Sequence, residues 1–140
     1  MKKKLVILFT AMMTMLVLAA CGSDDDTTGD SGKKVLKVGM EAAYAPFNWS
    51  QNDDSNGAVL IKGSKEYAAG YDVEIAKKIA DGLDMELQVV KTDWDGLIPS
   101  LQSGAIDVVI AGMSPNEKRK ETIDFSTNYY NSDFVVVVNA

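Results

Sequence analysis

The chain has 140 residues, with 20 Asp or Glu against 14 Lys or Arg, one Cys and no His. Without His there is no Ser-His-Asp or Cys-His nucleophile pair and no imidazole metal site, and one Cys forms neither an internal disulfide nor a thiolate zinc cluster. A net charge of −6 and a pI near 4.6 argue against nucleic acid as a partner, because phosphate binding needs clustered positive charge.

In chain order, Met1–Lys4 is a positive segment and Leu5–Ala20 a mostly apolar stretch of 16 residues. That is short of the roughly 20 residues needed to span a bilayer as a helix. Ending in small residues, it reads as a secretory signal peptide over residues 1–20. Leu18-Ala19-Ala20-Cys21 resembles a bacterial lipobox, so Cys21 is expected to be lipidated and to tether the mature chain to the extracytoplasmic face of the cell membrane. Residues 21–33 read as a flexible acidic tether, in which Asp24-Asp25-Asp26 is a solvated run rather than a metal site.

From residue 34 the texture changes. Val35–Met40 predicts a first strand. Residues 41–70 read as irregular, with a polar stretch at Gln51–Gly57 and a short strand at Ala58–Lys62. Tyr71–Leu83 has helical spacing, with Val73, Ala76, Ile79, Ala80 and Leu83 on one face and Asp72 placed to cap the start.

Met85–Lys91 predicts a second strand. Asp93 or Asp95 is expected to cap a second helix running to about Ser103, with Pro99 near its first turn and Gly104 in its C-terminal turn. Ile106–Ile110 predicts a third strand, and Asn116–Glu121 a short helix introduced by Ser114 and Pro115. Phe134–Val138 reads as a last, flat apolar strand prone to pair with another copy.

Strands alternating with helices predict an α/β fold, with a mostly parallel sheet, right-handed crossovers and helices on both faces. Ligands of such sheets bind at the carboxyl ends of the strands. Glu41, Ala42 and Tyr44 follow the first strand and Trp94 the second. Ala111, Gly112 and Ser114 follow the third, with Arg119, the single arginine, one turn into the next helix.

This set suits a small anion with an organic side group. Helix-terminal amides and the guanidinium would hold a carboxylate. Tyr44 and Trp94 would sandwich what it carries, and an ammonium over their faces would gain roughly 0.5–2 kcal/mol. Taken singly, Arg119 reads as a solvated residue of a charged run, the aromatics as core or rim, and Ser114 as a helix cap.

The segments VGMEAAYAPFNW, GYDVEIAKKIADGL, TDWDGLIPSLQSGAIDVVIAGMSPNEKRKETIDFS and YY, in that order over most of residues 35–138, resemble the amino-acid-binding proteins of ABC transporters, solute-binding protein family 3. The resemblance implies that residues 34–140 are the first lobe of a periplasmic-binding-protein-like (type II) fold, ending at the first crossover strand with the second lobe missing. It implies that Arg119 holds the ligand α-carboxylate, that Ser114 bonds the amino-acid head group, and that Ala111 and Gly112 offer backbone groups. Tyr44 and Trp94 would be the aromatic walls, and Glu41 would lie near the ligand side chain, which suits a cationic or polar ligand.

The implied function is capture of an amino acid for delivery to ABC permease subunits, with no catalysis, cofactor or metal. The segment Ser50–Ala69 is longer than in many relatives. Three other readings stand beside this one: a cleft enzyme of the same fold, such as an amino-acid dehydratase using Glu41 as acid; a ligand-binding sensor or adhesion lipoprotein; and an inactive truncated fragment. With half of the cage absent, the lobe alone is expected to bind amino acids weakly or not at all.

Overall fold

The computed structural model describes residues 32–133 and 135–139, so the expected signal peptide, the lipidation site Cys21 and most of the tether lie outside the described residues. The order of elements is β1 (Val35–Met40), β2 (Ala43–Tyr44), β3 (Asn48–Gln51), β4 (Val59–Leu60), β5 (Tyr67–Ala69), α1 (Tyr71–Gly82), β6 (Glu86–Lys91), α2 (Trp94–Gln102), β7 (Val108–Val109) and α3 (Glu117–Lys120). Among the described residues no helix is long and apolar enough to cross a membrane.

Strand β1 is the spine. Leu36, Val38 and Met40 are buried, as period-2 alternation requires for one face of a strand. β6 runs parallel beside it from Val35↔Glu86 to Met40↔Lys91, and β7 pairs on its other edge through Val38↔Val108 and Gly39↔Val109. The resulting order is β6-β1-β7.

The third strand is shorter than the apolar run Ile106–Ile110 predicts. The Lys37 N–H donates to the Asp107 carboxylate at 2.8 Å while the Lys37 carbonyl accepts the Asp107 N–H at 2.8 Å. A side chain thus replaces the backbone partner and ends the ladder. Ile106 and Ile110 remain buried on either side of it.

Helix α1 buries Val73, Ala76 and Ala80, but Ile79 and Leu83 of the predicted stripe are exposed. Its cap also differs from the expectation. Gly70 is the N-cap, with φ 123°, and a side chain there would overlap the Phe47 carbonyl. The carbonyls of Pro46 and Phe47 accept the N–H groups of Tyr71 and Asp72 at 3.2 and 2.8 Å. The first two N–H groups of the helix are therefore satisfied by backbone, and the Asp72 carboxylate accepts from elsewhere.

Helix α2 begins at Trp94 after N-cap Asp93, so Pro99 is its sixth residue and lies inside the helix, not near the first turn. A proline nitrogen cannot donate to the Asp95 carbonyl, which leaves one missing bond in a nine-residue helix. The anchor of the helix is packing. Leu97 is fully buried, and a Cβ on Gly39 would overlap Ile106 Cδ1 at 2.3 Å and crowd Leu97 Cδ2 at 3.3 Å. Glycine at 39 makes room for Ile106 and eases the packing of α2 on β1.

Residues 41–70 are not irregular. β2, β3, β5 and β4 form a second, antiparallel sheet in that order, and Ile61 bridges in parallel to Val89 of β6. Strands of two to four residues are too short to show a period in sequence. The predicted strand at Phe134–Val138 is absent over its described part. Val135–Val138 carry no pairing and are 77–91% exposed.

β1 leads through α1 to β6, and β6 leads through α2 back across β1 to β7. With right-handed crossovers the two helices cover opposite faces, and the switch point falls between β1 and β7. The chain leaving Met40 and the chain leaving Val109 therefore meet at one end of the sheet.

Candidate ligand-binding site

Two loops build the site. In the first, Ala42 is buried in a left-handed conformation, φ 53°, and the Ala45–Pro46 peptide is cis. The Tyr44 carbonyl accepts the Phe47 N–H at 2.9 Å, and the two rings stack with centroids 5.1 Å apart. Phe47 meets Tyr130 edge-on at 5.0 Å, and Tyr71 packs on both Tyr129 and Tyr130. Tyr44, Tyr71 and Tyr130 are half exposed. Five rings thus form a continuous aromatic shelf, of which the sequence-based site included only Tyr44. The adjacent tyrosines 129 and 130 were the available signal.

In the second loop Ala111 is buried and Gly112 has φ 61°. A Cβ on Gly112 would lie 3.2 Å from Tyr44 Cε1, so both backbone conformation and ring contact favour glycine. The Ser114 carbonyl accepts an Arg119 guanidinium N–H at 2.8 Å, and Asn116 caps α3 by accepting the Arg119 N–H at 2.8 Å. The guanidinium carbon lies 5.4 Å from the centre of the Trp94 ring.

The candidate residues therefore fall into groups. Tyr44, Ala111, Gly112 and Ser114 line one open groove of about 1130 Å³, together with Phe47 and Tyr129. Trp94 and Arg119 lie outside that lining and are stacked on each other, joined to the groove through the Ser114 carbonyl. Glu41 makes no hydrogen bond or ion pair among the described residues. Tyr44 stacks on Phe47 and lies against Gly112.

Beneath the loops runs a hydrogen-bond relay, buried on one arm, that sequence reasoning missed. Ala42 N–H donates to Asn48 Oδ1 at 2.8 Å, and Asn48 Nδ2 donates to Asp72 Oδ2 at 2.7 Å. From the other side, Gly112 N–H donates to the Tyr129 hydroxyl at 3.0 Å, which donates to Asp72 Oδ1 at 2.8 Å. Asn48 and Asp72 are wholly buried.

Burial pushes the Asp72 carboxyl above the usual carboxylate range, opposed by the hydrogen bonds from Asn48 and Tyr129. Burial, followed by donation to the Asp72 carboxylate and by its charge, drives the Tyr129 phenol well above its ordinary value. The Gly112 amide proton is committed to the Tyr129 hydroxyl, so the backbone group this residue has left for a ligand is its carbonyl. Chemically, the site combines one guanidinium, exposed aromatic faces and backbone polar groups, which suits an anionic head with a flat or cationic body.

Known proteins share this architecture. The arginine-binding extracellular protein ArtP of Bacillus subtilis (strain 168) is 36% identical over 137 residues, covering 98% of this chain and 48% of that protein. The chain thus spans about half the length of that relative. The substrate-binding protein of an amino acid ABC transporter superposes with a TM-score of 0.58 at 38% identity, over 69% of this chain and 39% of that one. The arginine-bound form of domain 1 from TmArgBP superposes at 0.57 with 41% identity, over 69% of this chain and 67% of that one. In that structure a single domain holds arginine. Residues 36–140 match the bacterial extracellular solute-binding proteins, family 3, and the chain belongs to that family.

Proposed function

We propose that this chain captures an amino acid outside the cytoplasm and presents it to the permease of an ABC importer, with residues 34–140 as the first lobe of the binding protein. The observation that carries the reading is the junction of Arg119, Trp94 and the Ser114 carbonyl at the carboxyl end of β7 in a chain of this family. In this reading Arg119 swings from the Ser114 carbonyl to a ligand α-carboxylate, exchanging a neutral acceptor for a charged one. Ser114 bonds the head group, the Ala111 and Gly112 backbone supplies further polar contacts, and Tyr44 and Trp94 flank the side chain. Glu41 favours a cationic side chain, which makes L-arginine the first ligand to test; ArtP and TmArgBP support that choice.

Cys21 is proposed as the lipid anchor after removal of residues 1–20, with residues 21–33 as the tether. The chain performs no chemistry of its own; ATP hydrolysis belongs to the transporter. Calorimetry of the full chain against a panel of amino acids tests the reading. L-Arginine should bind, and Arg119→Ala should weaken binding by about tenfold or more, as loss of a charge-assisted hydrogen bond requires. Absence of binding to every amino acid of the panel would overturn it.

A further inference from the structure

We propose that Asp72 is a positioning residue, the common acceptor of two hydrogen-bond arms that sets the spacing between the loop carrying Tyr44 and the loop carrying Gly112 and Ser114. The inference rests on the reading of those loops as walls of an amino-acid site.

Direction is the first argument. Each bond of the relay points inward, from Ala42 N–H through Asn48 to Asp72 Oδ2, and from Gly112 N–H through Tyr129 to Asp72 Oδ1. An ionised carboxylate accepts on both oxygens and donates on neither, which only Asp or Glu supplies. Asparagine of the same size would turn an NH₂ donor toward one arm and break it, and without the negative charge it would hold the other arm more weakly.

The second argument is what the arms hold. Both end on backbone N–H groups of residues in the left-handed region, Ala42 at φ 53° and Gly112 at φ 61°. Such conformations persist where surrounding contacts over-determine them. The third is economy of structure. The start of α1 is already satisfied by the Pro46 and Phe47 carbonyls, so Asp72 is not needed as a cap. A wholly buried carboxylate is unfavourable unless it is fully hydrogen-bonded, and here the bonds it accepts reach both loops.

The test compares the full chain with Asp72→Asn and Tyr129→Phe, by amide NMR and by calorimetry with L-arginine. Tyr129→Phe should shift the Gly112 and Ser114 amide resonances and leave Ala42 in place. Asp72→Asn should shift Ala42 and Gly112 together. Each should weaken L-arginine binding by about tenfold, the scale of one lost hydrogen bond to a charged group.

A folded Asp72→Asn chain with unmoved Gly112 and Ser114 amides, or with unchanged L-arginine affinity, would overturn the inference. Should Asp72→Asn fail to fold, Tyr129→Phe, which deletes one hydroxyl, decides by the same readouts. Should the unmodified chain bind no amino acid, the binding reading fails. Joint movement of the Ala42 and Gly112 amides in Asp72→Asn then still decides whether Asp72 couples the loops.

Discussion

The Tyr129 hydroxyl donates to Asp72 Oδ1 at 2.8 Å, joining residues 57 positions apart. A second tie runs alongside: the Tyr71 hydroxyl donates to the Tyr129 carbonyl at 3.0 Å, and the two rings stack at 6.1 Å. Among the described residues the segment after α3 has no regular structure of its own, so these contacts with the start of α1 hold it against the site. The same tyrosine accepts the Gly112 amide, which makes one ring a link between helix, loop and C-terminal segment.

The raised pKa of Asp72 has a definite sign in stability. Between the unfolded carboxylate value near 3.8 and the higher folded value, the native state binds more protons than the unfolded state. The contribution of Asp72 is therefore fully present below the unfolded value and is lost as pH rises through the folded one. Urea midpoints of Asp72→Asn, measured from pH 3 to 7, should lack this downward component. A pH slope identical to that of the unmodified chain would contradict it.

Gly112→Ala should destabilise the chain by about 1–2 kcal/mol, the left-handed penalty for an L residue. The added methyl also meets the Tyr44 ring, so the ring must shift. Urea unfolding gives the stability change, and a changed near-ultraviolet circular dichroism signal reports the displaced tyrosine.

Gly39→Ala should cost about 1–3 kcal/mol through overpacking against Ile106 and Leu97. The clash with Ile106 falls on its Cδ1 atom, which valine lacks. Ile106→Val combined with Gly39→Ala should therefore be less unstable than the sum of the single changes. A double-mutant cycle in urea measures the coupling, and strict additivity would refute the contact.

Trp94→Ala should weaken L-arginine binding by about 0.5–2 kcal/mol, and Trp94→Phe by less, because phenylalanine keeps an aromatic face for a cation. Calorimetry distinguishes the two. Equal losses would show that the indole contributes by shape alone.

Val135–Val138 present four exposed apolar side chains in a row. Exposed apolar β-branched residues favour strand pairing between copies. Light scattering of the full chain should show self-association that grows with concentration, and Val136→Lys with Val137→Lys should suppress it. A monomer at all concentrations would count against this.

The elements legible in sequence are those whose own pattern repeats. Val35–Met40, Tyr71–Gly82 and Glu86–Lys91 lie within about one residue of their predicted bounds because alternation and helical spacing run long enough to show. Of the small sheet at 43–69 only β4 was legible, inside the strand expected at Ala58–Lys62; its two- to four-residue strands contain at most two periods and owe their existence to cross-strand partners. The Phe134–Val138 run had strand-forming residues but, over its described part, no neighbour with which to pair. Asp72 was misread as a cap because the carbonyls that replace it come from residues 46 and 47, more than 20 positions away.

By itself the sequence determined the α/β alternation, the parallel strands, the single arginine and the family. Those follow from local periodicity and from residue types in order along the chain. Tertiary structure decided which candidates meet: Arg119 with Trp94 and Ser114, Tyr44 with Gly112, and both loops through Asp72. Hydrogen bonds and ring contacts are set by distances of a few ångströms between residues far apart in the chain, and no local pattern encodes those distances.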